Sequence, residues 1–161
     1  MLKRVALLSF LLCLPLAAQT GTSKAELEVR GALANFIQAF DNLDWDRFRM
    51  AFSDDATVFY PRGIPERAKG RAEFERNFRI VFAQIRGART TAPYMDLQPR
   101  NLEVQMLGDV AIATFHLDDR AGFVNRRTIV LRKTDSGWKI VHLHASEVAT
   151  TTAVPEEPRS R

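Results

Sequence analysis

After Gly87 the hydrophobic pattern of this chain changes its period, and that change limits the fold to one class. Upstream, apolar residues recur at spacings of three and four. Val29, Leu33, Phe36, Ile37 and Phe40 mark one helical face, led by "SKAE", where Ser23 is expected to cap and Glu26 to reach back. "DNLD" interrupts, and Asp44 is placed to cap a short second helix carrying Trp45, Phe48 and Phe52. "ATVFY" (Ala56–Tyr60) reads as a strand stopped by Pro61, followed by a Pro- and Gly-containing loop, "PRGIPERAKG". A third helix is predicted over 71–86, with Phe74, Phe78, Val81, Phe82 and Ile85 on one side. Downstream the period is two. Strands are predicted over 91–107 (interrupted near Pro99), 109–118, 123–133 and 137–149, with "LGD", "DDRAG" and "TDSG" as hairpin turns. Helices first and hairpin-connected strands after give an α+β domain, a curved antiparallel sheet packed on three N-terminal helices.

The ends of the chain read differently. "MLKR" followed by the apolar run Val5–Ala18 is too short to span a bilayer and reads as a secretory signal peptide, residues 1–18. The expectation is a secreted or periplasmic protein with no stable membrane anchor after cleavage. Cleavage removes Cys13, the only cysteine, and with it any disulfide or thiolate chemistry. It also removes Lys3 and Arg4, taking the formal charge from +4 to +2, which argues against a nucleic-acid partner. One domain is then expected over 19–149, and residues 150–161, polar and containing two prolines, read as a disordered tail.

Four stretches, "AFSDDATVFYPRG", "KGRAEFERNF", "LGDVAIATFHL" and "GWKIVHLHASEV", resemble in order and spacing the SnoaL-like, nuclear-transport-factor-2-like superfamily. That superfamily includes ketosteroid isomerase and the association domain of calmodulin-dependent kinase II. The resemblance runs from Ala25 to about Val148. It implies a cone-shaped α+β fold with a pocket between sheet and helices, usually in a dimer. Ketosteroid isomerase uses an aspartate base with a tyrosine and a protonated aspartic acid as oxyanion donors. The matching positions here are Tyr60, Phe36, and Thr128 or Ile129, so none of those groups is retained.

The same likeness places Phe36, Phe40, Phe52, Phe78, Val141, Leu143 and Ala145 toward the cavity. Period two on the neighbouring strands adds Thr114, His116, Asp118, Arg126 and Thr128, an apolar aromatic cup with a few polar groups. His116 has two readings: a base or acid oriented by Asp118 with Tyr60 as partner, or a half-buried histidine bonded within the sheet. Arg126 is taken as the pocket-facing member of the Arg126–Arg127 pair, either gripping a carboxylate or pairing with a surface acid. Asp41, Asp44 and Asp46 surround Trp45, where an acid could serve as a base, but they better fit caps and turns. Arg62, Arg67, Lys69 and Arg71 form a basic loop that either covers the pocket mouth or is simply solvated. His142 and His144 share a strand face with Trp138, Ile140 and Ser146, away from the cavity. A metal site there would need a third ligand, so no metal or other cofactor is expected. An interface role in a homodimer fits these histidines better. The expected function is binding of a small apolar or weakly acidic ligand, or dimerisation. The alternative is an isomerase, dehydratase or cyclase using His116 and Tyr60.

Overall fold

The computed structural model describes residues 22–117 and 122–149. The stretches expected to form a signal peptide and a tail, together with Asp118, lie outside the described residues. Helix α1 (Lys24–Asp41) starts where Ser23 Oγ accepts a hydrogen bond from the Glu26 amide at 3.1 Å. The rest of the expected capping box does not form, because the Glu26 carboxylate accepts from Arg30 Nε at 2.8 Å. Helix α2 (Trp45–Met50) is capped by Asp44, which accepts from the Arg47 amide. Helix α3 (Arg71–Ala88) buries Phe74, Phe78 and Phe82 at a spacing of four. Among the described residues no helix is long and apolar enough to cross a membrane.

The strands are β1 (Phe52–Phe59), β2 (Ala68–Lys69), β3 (Arg100–Leu107), β4 (Val110–Leu117), β5 (Phe123–Thr134) and β6 (Gly137–Ala149). They form one sheet in the order β2-β1-β6-β5-β4-β3. The sheet is mixed rather than purely antiparallel, since β1 runs parallel to β6. The reason is topological: β1 precedes α3, and the chain returns through that helix and a meander before laying β6 beside it. The stretch 91–99 is not strand, and the short β2 was hidden inside the Pro- and Gly-containing loop.

Helices cover one face of the sheet, and alternation shows which side chains meet them. On β4 the buried residues are Ala111, Ala113, Phe115 and Leu117. On β5 the inward positions are Asn125, Arg127, Ile129 and Leu131. A break in the β5–β6 ladder sets this phase. The hairpin opens with Thr134 opposite Gly137 and reaches Leu131 opposite Ile140, but the next pair is Val130 with His142. Val141 is left out of the ladder, a β-bulge. An unbroken ladder would have set Thr128 opposite Leu143 and Arg126 opposite Ala145. With the extra residue, Ile129 faces Leu143 and Arg127 faces Ala145. A one-residue slip exchanges every later side chain between faces.

The helix-side core is built on phenylalanine. Phe48 is fully buried, with its ring centroid 4.7 Å from Phe78, 4.9 Å from Phe82, 5.3 Å from Phe40 and 5.4 Å from both Phe36 and Phe52. Truncating this hub leaves a cavity its rigid neighbours cannot fill. Phe48→Ala is expected to cost about 3–5 kcal/mol, read by urea denaturation. A loss under about 1 kcal/mol would mean that the cluster is loosely packed.

Candidate functional site

The aromatic residues expected to line a cup are inside, but they pack on one another. Phe36, Phe40, Phe52 and Phe78 join the Phe48 cluster through edge-on and tilted contacts, and Leu143 and Ala145 are buried beneath them in the core. The polar residues expected beside them are on the other face. Thr114, His116, Arg126 and Thr128 alternate with buried Ala113, Phe115 and Ile129 and half-buried Arg127, and so point away from the helices. The bulge at Val141 is the cause. Trp138 and Ile140, before it, are buried. His142 and His144, after it, lie on the outer face as expected.

All three histidines therefore share the outer face. His142 Nδ1 lies 2.7 Å from Thr57 Oγ1, and the Phe59 ring sits 6.0 Å from His142 and 5.5 Å from His144. Burial, reinforced by the neighbouring His144 and Arg67, holds the His142 imidazole below the usual histidine range. His116, two strands away, has Asn101 Nδ2 at 3.5 Å from its Nδ1. Among the described residues no group of histidines and carboxylates gathers closely enough to hold a metal.

The inner face carries a different polar set. Moving outward along β5, Ile129 is followed by Arg127, Asn125 and Phe123, paired with Leu143, Ala145, Glu147 and Ala149 of β6. Phe115 and Leu117 of β4 flank Arg127 and Asn125 on the other side. The apolar core thus grades into a polar end. Asn125 is buried at 6% exposure. Arg127 donates from Nη1 to its neighbour's carbonyl, Arg126 O, at 2.8 Å. Among the described residues it makes no ion pair; Glu147 acts on it only at longer range. Burial pushes its guanidinium down to about 10, against the opposing pull of Glu147.

Tyr60 enters the same interior from the end of β1. Its ring centroid is 5.2 Å from that of Phe78, and its hydroxyl is buried without a hydrogen-bond partner among the described residues. Burial raises the phenol to about 12, while the Asn77 side chain and the charge of Arg76 on α3 pull the other way. The phenol is therefore a donor at neutral pH and not a base. Glu147 closes the set, ion-paired to Arg62 of the basic loop. A guanidinium and an amide follow the apolar core along the inner face of β5, and the Tyr60 phenol enters that interior against Phe78; donors of these kinds suit an acid or carbonyl oxygen.

Sequence reasoning reached Tyr60 and missed Arg127, Asn125 and Glu147, because the bulge residue Val141 is apolar like its neighbours. The ketosteroid-isomerase comparison resolves with them: Ile129 faces the interior and Thr128 does not. Asp41, by contrast, has a structural role, receiving the Met95 amide on its carboxylate and the Tyr94 amide on its carbonyl.

Two opposing alkaline contributions follow. Between pH 10 and 12 the unfolded chain ionises Tyr60 while the folded chain holds it neutral, so this contribution to stability falls as pH rises. Between pH 10 and 12.5 folded Arg127 sheds its proton before the unfolded chain does, so its contribution rises. Relative to the unaltered protein, Tyr60→Phe should gain stability across pH 10–12 and Arg127→Met should lose it, measured by urea denaturation. At neutral pH, Tyr60→Phe should stabilise by about 1 kcal/mol, because it removes an unpaired buried hydroxyl. Parallel pH curves for the three proteins would contradict these placements.

Comparison with known proteins agrees with this fold. A model of the SnoaL-like domain matches residues 29–151. No curated protein matches. Among solved structures, a nuclear-transport-factor-2-like protein of unknown function from Pseudomonas putida is 25% identical, with 78% of this chain and 89% of that one covered and a TM-score of 0.64. A candidate dehydratase of the same fold family from Streptomyces avermitilis is 23% identical, covering 76% and 94%, with a TM-score of 0.63. A candidate calmodulin-dependent kinase II association domain from Thiobacillus denitrificans is 22% identical, covering 74% and 94%, with a TM-score of 0.60. From the family match and the helix-backed, bulged sheet, this chain belongs to the SnoaL-like domain family.

Proposed function

We propose that this SnoaL-like domain binds a small, apolar, weakly acidic molecule at the polar end of its inner sheet face, with the acid group on Arg127. The observation that carries the reading is a half-buried guanidinium on the inner side of β5 with no carboxylate in ion-pair reach among the described residues. Burying an unpaired cation is costly, and a ligand carboxylate would satisfy the donors that Arg126 O leaves unused. Tyr60 supplies a second donor, and Phe115, Leu143 and Ala145 supply apolar contact.

The enzyme alternative has the Streptomyces relative in its favour, but His116 and Tyr60 approach from opposite faces of the sheet and do not form a pair. Binding is therefore the better-supported reading. We further propose that the protein is exported and pairs with a second copy through the outer face, where Phe59 is 36% exposed beside His142 and His144. The Thiobacillus relative supports an oligomerising role.

With benzoate as probe in isothermal titration, Arg127→Leu should weaken binding by at least about tenfold, the value of a charge-assisted hydrogen bond. Arg126→Leu should leave it nearly unchanged. Equal losses for both would remove the inner-face assignment. Light scattering at micromolar concentration should give a dimer that Phe59→Glu converts to monomer. A monomer before any substitution would end the pairing proposal.

A further inference from the structure

We infer that Arg62 and Glu147 form the gate of the inner-face site: their ion pair holds the loop of residues 60–67 across the open end of the sheet, and a ligand reaches Arg127 when that pair parts. This inference rests on the reading of Arg127 as an anion site.

The loop is anchored at both ends and tied once in the middle. Tyr60 plugs its first residue into the core against Phe78. At the other end β2 pairs back on β1, with Val58 opposite Ala68 and Thr57 opposite Lys69. Pro61 and Pro65 stiffen the span, and Gly63, at φ +77°, gives it one residue free to turn in the left-handed region. From the middle, Arg62 ion-pairs with Glu147 on β6, and its guanidinium carbon sits 5.7 Å from the centroid of the Phe123 ring on β5. Along the β5–β6 ladder, Phe123 and the Asn125–Glu147 pair lie immediately outside Arg127. Arg62 thus reaches from the end of β1 over β6 to β5, just beyond the Arg127–Ala145 pair.

The strength of the tie suits a gate. The Arg62 side chain is 64% exposed and Glu147 only 14%, so the pair parts by moving Arg62 into water while Glu147 stays on its strand. A pair this exposed shifts an equilibrium by no more than about fivefold. It keeps the loop closed most of the time without locking it. An incoming carboxylate also gives Arg62 an alternative partner to Glu147, which lowers the cost of opening when a ligand is present.

Phenylglyoxal, which modifies arginine, tests the gate on the purified chain without knowledge of the natural ligand. Adducts on Arg127 and on its neighbour Arg126, exposed on the opposite face, are followed by tandem mass spectrometry, and the ratio of the two rates is read. Arg62→Gln should raise the ratio by about fivefold, and Glu147→Gln by at least as much, because it breaks the same pair and also removes the carboxylate that pulls on the Arg127 guanidinium; adding Arg62→Gln to Glu147→Gln should change little further. Arg62→Lys, which keeps the charge, should stay within about twofold of the unaltered protein. If one variant fails to fold, the other reads the same pair. A ratio that stays constant across Arg62→Gln and Glu147→Gln overturns the gate, and a general loosening that speeds all arginines equally counts as that outcome. Benzoate protection of Arg127 is scored separately. Protection with an unmoved ratio removes the gate alone, whereas a moved ratio without protection removes the anion reading on which the gate rests.

Discussion

One residue outside the β-ladder decides what this domain presents to its interior. Val141 adds a bulge to β6, and beyond it the strand keeps Leu143, Ala145 and Glu147 inward and His142, His144 and Ser146 outward. Because β5 and β4 pair in register with β6, the bulge also assigns their faces. Arg127, Asn125 and Phe115 turn toward the helices, and Arg126, Thr128, Thr114 and His116 turn away. The bulge also permits continuous burial, since Trp138 and Ile140 before it and Leu143 and Ala145 after it all contact the core. Without the extra residue one of these pairs would face solvent.

The interior divides into two regions with different physics. Around Phe48, aromatic rings pack at core density, and stability there comes from area removed from water and from ring-to-ring contact. Past Leu143 the sheet carries Arg127, Asn125 and Glu147, with the Tyr60 hydroxyl entering from β1. These groups oppose folding unless they are satisfied, since an unbonded hydroxyl and an unpaired guanidinium each pay desolvation without full return. A fold stabilised by its aromatic half can carry that cost in the other half. Retained cost of this kind at one end of the inner face is the physical pattern on which the proposed binding site rests.

Much of the architecture was legible in the sequence, for identifiable reasons. The apolar spacing of α1 and α3, the Ser23 and Asp44 caps and the two-residue turn at Asp135–Ser136 are local features, and local chemistry sets them. The parallel β1–β6 pairing and the two-residue β2 were not legible, because both depend on where distant segments meet. The facing of the candidate residues on β4 and β5 was misread for a narrower reason. Period-two alternation transmits one error along a whole strand, and an apolar bulge residue among apolar neighbours gives no local sign of itself. Arg126 and Arg127 are adjacent and chemically identical, so only the register distinguishes them. Tyr60 escaped the error because it lies on β1 at a strand end marked by Pro61.

The central proposal is therefore positional: an acid ligand would be held by Arg127 on the inner face, not by Arg126 on the outer one. The most direct measurement is a crystal of the protein soaked with 4-bromobenzoate, with bromine located by its anomalous scattering. A bromine on the helix side of the sheet, with the carboxylate against Arg127 and the ring toward Phe115 and Ala145, is the predicted result. Bromine only on the outer face, beside Arg126 and His116, would contradict it.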